Sequence, residues 1–415
     1  MDGNTFDPIR LQSASYMQHD VEAVARNTRT KVNQRCGRID EHVEKQVLRR
    51  LELCYRLGKG AYGMVWKVIE KRTRRVVALK KCFDVLGRSE DAQRMYREIM
   101  YLQALSAHDN IIKMQHVIRA ETGQDMYITF DFMQADLLSV ILANVLQPIH
   151  VKYVVYQLLK ALKFIHSAGI VHRDVKPSNL LLNSDCHMKI CDFGLARSLE
   201  LGSNAVENPK LTEYVGTRWY RAIEVLLGSS HYTFAVDIWA VACIYAEMLL
   251  RRPLFPGTSA VDQIVKILAL IGRPGAIDIN SVNSAYAFTL LEMLPVLRPV
   301  SFVETFPDVS AEALNFMSQC LNYSPRKGCR CTVEEALRHP FIAEFHDPDD
   351  EPSYGKKIAL ALDDYQLFTA REYRVAIYGA IFKRKVSARK LERGLMANPA
   401  KVILMEHEET LPEPF

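Results

Sequence analysis

The feature that most constrains the fold is a change of hydrophobic pattern along the chain. Between residues 51 and 86, short runs rich in valine and aromatic residues alternate with glycine-rich and charged turns. This alternation is typical of antiparallel strands, which we predict at Leu51–Leu57, Met64–Ile69 and Arg75–Phe83. A helix is predicted next, at Asp91–Leu105, because apolar residues recur there at helical spacing. From about residue 137 the pattern is mostly helical, with long amphipathic stretches at 149–167, 235–250 and 260–272.

Strands followed by helices predict an α+β fold with a small antiparallel β lobe and a larger, mostly helical lobe. We assign residues 51–342 to one two-lobed domain, with the lobes at 51–133 and 134–342. Residues 1–50 form a predicted N-terminal extension, and its polar first part is expected to have little structure of its own. Residues 343–415 form a separate C-terminal segment.

Composition excludes several classes of protein. With 415 residues, 49% of them hydrophobic and 24% charged, the chain is too apolar to be a disordered protein. The longest apolar run, Ile238–Ala246, is too short for a transmembrane segment and predicts a buried helix. A net charge of +5 is too small and too mixed to indicate nucleic-acid binding. Scattered cysteines favour a reducing compartment over a disulfide framework.

The glycine-rich stretch Gly58–Gly63 gives the first indication of phosphate binding. Glycines let backbone amides approach phosphate oxygens closely. The same spacing occurs in nicotinamide oxidoreductases, but there the third glycine opens a helix. Here Gly63 is followed by strand-like residues from Val65 onward, which argues against that class. An ordinary glycine hairpin is the alternative when this stretch is considered alone.

Lys80 and Glu98 strengthen the phosphate interpretation. Lys80 ends an apolar strand, where a charge is costly unless it is paired. Glu98 on the following predicted helix can supply the partner. A lone lysine on a strand is usually solvated, whereas a lysine between a glycine-rich loop and a helical glutamate is typical of a nucleotide-phosphate site.

The most specific signal is the stretch His172–Asn179, followed by Asp192-Phe193-Gly194. Asp174 can accept the proton of an attacking hydroxyl group, and Lys176 can neutralise the transferred phosphate. Asn179 and Asp192 offer oxygen ligands for Mg²⁺. Because phosphoryl transfer needs all these parts, their joint order predicts that they meet around one triphosphate.

Together these motifs resemble those of the eukaryotic protein kinases over roughly residues 51–342. The resemblance implies ATP and Mg²⁺ as cofactors, Lys80 as the ligand of the α- and β-phosphates, and Glu98 as its ion-pair partner. Lys176, two positions after Asp174, is similar to the serine/threonine kinases rather than the tyrosine kinases. The residues implied to contact ATP are Gly58, Lys59, Gly60, Ala61, Tyr62, Gly63, Val65, Ala78, Lys80, Phe130, Asp131 and Met133.

Thr212-Glu213-Tyr214 resembles the activation segment of MAP kinases of the extracellular-signal-regulated type. This implies a switch by phosphorylation of Thr212 and Tyr214, because each phosphate adds about −2 charge and strong acceptor oxygens. The expected ligands are arginines, namely Arg97, Arg173 and Arg197 for phosphate on Thr212, and Arg218 and Arg221 for phosphate on Tyr214. The alternative is a polar loop tripeptide without a role.

The C-terminal part carries two further resemblances. Acidic residues around Asp347 and Asp350 are similar to the MAP kinase docking site for basic peptides of substrates and regulators. Residues 364–385 resemble the tail of the atypical, self-phosphorylating MAP kinases, which implies that the enzyme modifies Thr212 and Tyr214 itself. We expect the tail helix to pack on the kinase lobes rather than on a membrane.

The resemblance also implies protein substrates with Ser or Thr followed by Pro, an upstream kinase, a phosphatase, and a cytoplasmic location with the nucleus as a second site. One departure is Ile223, which stands where kinases usually have proline, while Glu224 is kept and can pair with Arg330. The alternative function is a pseudokinase or scaffold that works through its docking surface. The intact Lys80, Asp174 and Asp192 disfavour it.

Overall fold

The structure, a computed structural model, describes residues 43–60, 63–199, 217–229, 233–326 and 328–397, and the side chains as far as residue 387. The described chain divides into two compact units. The sheet unit contains residues 43–109, 113–131 and 360–397. The helical unit contains residues 110–112 and the described residues from 132 to 359. The C-terminal tail from residue 360 therefore belongs with the sheet.

The sheet unit is built on one antiparallel sheet. Its elements in chain order are α1 Lys45–Leu48, β1 Leu51–Gly60, β2 Gly63–Glu70, β3 Val76–Cys82, α2 Ser89–Ala104, β4 Met114–Arg119 and β5 Met126–Asp131. The strand order is β1-β2-β3-β5-β4, so the strand after α2 is added at the edge and the last strand lies inside the sheet. The tail helix, Ala370–Ala397, follows in the C-terminal segment.

The predicted strands and the predicted helix of this unit are confirmed, but two strands were not predicted. Strand β4 buries few of its residues, so its sequence shows no clear alternation. Strand β5 is buried on both faces and has an apolar run interrupted only by Thr129, which periodicity cannot distinguish from a buried helix.

The end of the predicted N-terminal extension packs onto the sheet. Val43 and Val47 are buried in a cluster with Trp66 and Tyr127, and the backbone N–H of Glu44 donates to the Tyr127 hydroxyl at 3.1 Å. The expectation of little structure covered residues 1–45 and was therefore wrong for residues 43–45. A single turn with two apolar residues is too short to give a periodic signal. Residues 1–42 lie outside the described part of the chain.

The helical unit contains helices α3 Leu137–Ala143, α4 Pro148–Ser167, α5 Ile223–Leu226, α6 Ala235–Leu250, α7 Ala260–Ile271, α8 Ala276–Ser281, α9 Ala287–Met293, α10 Phe302–Thr305, α11 Ala311–Cys320 and α12 Val333–Leu337. Its short strands are β6 Ala135–Asp136, β7 Ile170–Val171, β8 Leu180–Leu182, β9 Met188–Ile190 and β10 Arg197–Ser198. They form a sheet of order β6-β8-β9 and a two-stranded β7–β10 ribbon. An antiparallel sheet unit and a mostly helical unit confirm the α+β fold class.

Helix α6 explains the longest apolar run of the sequence. It is buried from Val236 to Met248, so nearly every face of the helix contacts protein rather than water. The predicted helices at 149–167 and 260–272 are also confirmed, as α4 and α7. None of the helices in the described ranges is both long and apolar enough to cross a membrane.

Candidate active site

In the sheet unit, Lys80 and Glu98 form an ion pair. Lys80 lies on β3 opposite Val65 of β2 and Ile128 of β5. Its Nζ lies 2.9 Å from Oε1 of Glu98 on α2, and the two side chains are 26% and 8% exposed. Because Glu98 is almost buried, its carboxylate needs such a partner. The two side chains that the sequence pairs are therefore in contact.

The glycine-rich stretch forms the hairpin of β1 and β2, with Gly60 opposite Gly63. A Cβ atom on Gly63 would lie 2.1 Å from the carbonyl oxygen of Lys81, so only glycine permits this approach of β2 to β3. A Cβ on Gly58 or Gly60 would meet no atom within 4 Å. Strand β2 follows Gly63, which contradicts a dinucleotide-binding turn. Ala61 and Tyr62 lie outside the described residues.

Three further residues predicted to contact ATP lie on the sheet. Ala78 on β3 is opposite Phe130 on β5, and both are buried. Asp131 ends β5, where its carboxylate accepts a hydrogen bond from Gln115 at 2.5 Å and its N–H donates to the Lys113 carbonyl. Met133, the fourth such residue, is buried in the helical unit.

In the helical unit, Asp237 of α6 holds the backbone before Asp174. Its carboxylate accepts hydrogen bonds from the N–H groups of His172 at 2.9 Å and Arg173 at 2.8 Å, and contacts His166 Nε2 at 2.9 Å. Burial alone would raise the pKa of Asp237, but the hydrogen bonds and charges of His166 and His172 outweigh it and lower that pKa. The carboxylate therefore stays ionised inside the protein and fixes this loop.

Asp174, Lys176 and Asn179 form one hydrogen-bonded cluster. Lys176 Nζ lies 2.6 Å from Oδ2 of Asp174. The side-chain amide of Asn179 donates to the same carboxylate oxygen at 3.0 Å and to the Asp174 carbonyl at 2.9 Å. A 3₁₀ turn at Pro177–Asn179 brings both partners back to Asp174. Because its amide nitrogen faces Asp174, the side-chain oxygen of Asn179 points away and can act as a ligand.

The residues on either side of Asp192, Cys191 and Phe193, hold it in place through contacts with Asn179 and His172. The N–H of Cys191 donates to the Asn179 carbonyl at 2.9 Å, and the buried Phe193 ring contacts His172 edge-on with ring centres 4.8 Å apart. Asp192 has φ 66° and Arg173 has φ 67°. Such left-handed conformations cost energy in residues other than glycine and are concentrated at functional sites.

The oxygen donors of Asn179 and Asp192 fit Mg²⁺. Magnesium prefers oxygen ligands and is commonly held by one or two carboxylates together with substrate phosphates. Within the described residues, no group of three acidic, histidine or cysteine side chains could hold a metal by itself. A site that shares its ion with a nucleotide matches this small donor set.

The predicted phosphate-binding arginines lie in three places. Arg197 on β10 pairs with Val171 on β7, and Arg173 lies two residues after that strand. Arg218 begins the 3₁₀ turn Arg218–Tyr220, which Arg221 follows, and its Nη1 donates to the Thr258 carbonyl at 3.1 Å. Arg97, on α2 of the sheet unit, is paired with Asp364. Thr212 and Tyr214 lie outside the described residues, so their phosphorylation stays a prediction.

Glu224 and Arg330 form the pair that the sequence suggests. Nη1 and Nη2 of Arg330 lie 2.7 Å and 2.9 Å from the two carboxylate oxygens of Glu224, and both side chains are at most 1% exposed. The guanidinium also donates to the Asn322 and Ala235 carbonyls. Ile223, at the position of the usual proline, is fully buried.

The predicted docking carboxylates lie in the 3₁₀ turn Pro348–Asp350 and at its start. Asp347 caps this turn by accepting the N–H of Asp349 at 3.0 Å. Asp350 is exposed and forms an ion pair with Lys160 of α4. The neighbouring Glu351 is buried and lies 3.4 Å from Lys163. Part of the acidic charge is thus already balanced by lysines of α4.

Sequence reasoning missed a largely apolar pocket next to Lys176. Its volume is about 220 Å³, and its lining includes Leu138, Ile141, Leu142, Pro177, Trp219 and Pro253. These residues come from α3, the loop after Asp174, the turn at Arg218–Tyr220 and the segment that follows α6. No local motif could have indicated the pocket, because folding assembles it from four separate segments.

The fold and these clusters define a protein kinase, and the comparisons agree. The family model for the protein kinase domain matches residues 51–342. The chain is 49% identical over 362 residues to extracellular signal-regulated kinase 2 of Dictyostelium discoideum, covering 87% of this chain and 96% of that protein. It is 47% identical over 353 residues to mitogen-activated protein kinase 15 of Xenopus laevis, covering 85% of this chain and 60% of that protein. The chain belongs to the MAP kinase family of serine/threonine protein kinases.

Proposed function

We propose that Asp174 accepts the proton from the Ser or Thr hydroxyl group that attacks the γ-phosphate of ATP. The observation that carries this assignment is the cluster of Asp174, Lys176 and Asn179, which is anchored through the backbone to the buried Asp237. A fixed carboxylate can orient the hydroxyl and take its proton. Lys176 then stabilises the charge of the phosphoryl group during transfer.

The remaining roles follow from charge and position. Lys80, held by Glu98, binds the phosphates of ATP. Asn179 and Asp192 hold Mg²⁺, which neutralises phosphate charge when it is bound. The backbone of Asp131 and Met133 binds adenine, with Phe130 at the back of its pocket. The pseudokinase alternative is not favoured, because the lysine and the acceptor carboxylate are both present and paired.

The regulatory proposal concerns Thr212 and Tyr214. Phosphate on Thr212 would bind Arg173 and Arg197, since Arg197 pairs with Val171 two residues before Arg173. Phosphate on Tyr214 would bind Arg218 and Arg221. Charge-assisted pairs of this kind order a flexible segment. Two sources of the phosphates remain, an upstream kinase and the enzyme itself, and the similarity of residues 364–385 to a self-phosphorylating tail favours the enzyme.

The partners we propose are proteins with Ser-Pro or Thr-Pro sites and basic docking peptides. The apolar pocket next to Lys176 suits an apolar side chain close to the phosphorylated residue. Asp347 and Asp350 offer carboxylates to basic peptides, which must compete with Lys160 for Asp350. Regulators, including a phosphatase, would use the same acidic turn. We propose a cytoplasmic location, with the nucleus as a second site.

We expect a peptide with a Ser-Pro site to be phosphorylated with a kcat/KM about tenfold or more above that of the matched Ser-Ala peptide, the discrimination that one pocket contact can give. Purified full-length protein with ATP and Mg²⁺ is assayed on both peptides. The Lys80→Met variant serves as the inactive control, and Lys71→Met, at an exposed turn, controls for loss of a lysine. Equal rates on the two peptides would exclude proline direction.

We also expect protein produced in bacteria, without an upstream kinase, to carry phosphate on Thr212 and Tyr214. Mass spectrometry of peptides that cover residues 198–221 measures this directly. The Lys80→Met variant, produced in the same way, should lack both phosphates. An active enzyme with both residues unmodified would disprove self-phosphorylation and leave the upstream kinase as the source.

A further inference from the structure

The tail of the chain holds a predicted phosphate ligand. Arg97 lies on α2 directly before Glu98, and its Nε and Nη2 donate to the carboxylate and the main-chain carbonyl of Asp364. The side chains of Arg97 and Asp364 are only 3% and 7% exposed. The hydroxyl of Tyr101, one turn further along α2, lies 3.4 Å from the same carboxylate. This is a buried and built contact rather than a surface ion pair.

Further contacts extend along α2. The Leu362 N–H donates to the Tyr96 hydroxyl at 3.1 Å, and the Gln93 side chain donates to the Gln366 carbonyl at 3.2 Å. The rings of Tyr96 and Tyr373 lie 5.6 Å apart. Because Gln93, Tyr96 and Arg97 are spaced by three and four residues, the tail covers one face of the helix.

The tail helix continues this contact and is itself anchored in the sheet unit. Tyr373 and Ile377 are almost completely buried, and Arg374 donates to the Leu86 carbonyl at 3.1 Å, just before α2 begins. The tail is therefore a packed part of the sheet unit. Turning α2 away from this position would break polar and ring contacts together.

We propose that Asp364 supplies at Arg97 the anionic partner that a phosphate would otherwise supply, and so holds α2 with Glu98 on Lys80 before Thr212 is phosphorylated. Glu98 follows Arg97 on the same rigid helix, so a ligand that fixes Arg97 also fixes Glu98. Carboxylate and phosphate oxygens both accept charge-assisted hydrogen bonds from a guanidinium, and here Asp364 binds Nε through its carboxylate and Nη2 through its main-chain carbonyl. The inference rests on the proposed function, because it assigns Lys80 and Glu98 to ATP binding.

This proposal changes the expected role of Arg97. The family resemblance implies that Arg97 binds phosphate on Thr212 together with Arg173 and Arg197. A guanidinium that is buried with a carboxylate can accept a phosphate only after Asp364 leaves. Asp364 and the phosphate are therefore alternative ligands of one arginine, and the tail gives the unphosphorylated enzyme an ordered α2.

The test compares Asp364→Asn with Asp363→Asn in the full chain. Asp363 is the adjacent aspartate and is exposed. Its carboxylate accepts a local hydrogen bond from the N–H of Tyr365. The Asp363→Asn variant therefore controls for the loss of one charge. Both are made in a Thr212→Ala/Tyr214→Phe background, which cannot be phosphorylated at the two switch residues. Both are also made in the unaltered background with phosphate on Thr212 verified by mass spectrometry.

Two measurements are made on each protein, hydrogen exchange of the amides of Ser89–Ala104 and kcat on the Ser-Pro peptide. In the background without phosphate, Asp364→Asn should speed exchange in α2 and lower kcat, each by about tenfold or more relative to Asp363→Asn, because local opening of the helix becomes easier. With phosphate on Thr212 both effects should shrink, since the phosphate can bind the released Arg97.

Equal exchange rates for the two variants would overturn the proposal. If Asp364→Asn changed α2 exchange and kcat equally with and without phosphate on Thr212, Asp364 would only stabilise the fold. That result would overturn the proposal that phosphate can replace Asp364 at Arg97. Hydrogen exchange also separates this inference from the proposed function. If α2 opens in Asp364→Asn while even the unaltered, phosphorylated protein shows no transfer to peptide, the proposed function fails and the tail contact stands.

Discussion

Asp174→Asn is expected to lower kcat for peptide phosphorylation by about 10²–10⁴-fold, the range that a positioned proton acceptor contributes. The asparagine side chain keeps the shape of the residue and can still accept a hydrogen bond, but it cannot take a proton. It also removes the charge that pairs with Lys176 at 2.6 Å. ATP should still bind, because Lys80 and Glu98 are unchanged. Steady-state kinetics with nucleotide binding measured separately test both statements.

Asp185→Asn is the matched control for this experiment. Asp185 is an exposed aspartate of the same helical unit. Its carboxylate accepts a local hydrogen bond from the N–H of His187. Its variant should keep normal turnover. Near-normal turnover in Asp174→Asn would refute the proposed mechanism, whatever the fold.

Arg330→Met is expected to lower the free energy of unfolding of the helical unit by about 3–5 kcal/mol, because it leaves the buried Glu224 carboxylate without its partner. Methionine replaces part of the buried volume of arginine, so loss of packing contributes less than loss of charge. Helix α5, which carries Glu224, and the start of α6 would both lose their hydrogen bonds from this guanidinium. Chemical and thermal denaturation of the purified variant measure the change.

A double-mutant cycle separates the ion pair from the other contacts of Arg330. Glu224→Gln together with Arg330→Met should recover part of the lost stability, since no unpaired charge then remains in the interior. Arg338→Met, at an exposed arginine of the same unit, should change stability little. If Arg330→Met were as stable as Arg338→Met, the buried pair would have no importance for the fold.

The fold could be predicted where periodicity was strong. Alternation gave β1 to β3, and helical spacing gave α2, α4, α6 and α7, all of which the structure contains. The sequence failed at β4 and β5 for opposite physical reasons, one being too polar to alternate and the other buried on both faces. It also gave no sign that Val43 and Val47 pack on the sheet, because their burial depends on contact with Tyr127 of a strand far along the chain.

In the candidate active site, too, some features could be predicted from the sequence and others could not. Residue type and order determined by themselves that this chain is a kinase, because the motifs around Lys80, Asp174 and Asp192 are short, contiguous and specific in their chemistry. The Lys80–Glu98 and Glu224–Arg330 pairs were expected from the sequence, but tertiary structure alone decided the contacts that no motif indicates. Asp364 lies 267 residues from Arg97 in the sequence, and the pocket beside Lys176 draws on four segments. A local pattern cannot encode such contacts, since the energy of a buried pair depends on which surfaces the whole chain brings together.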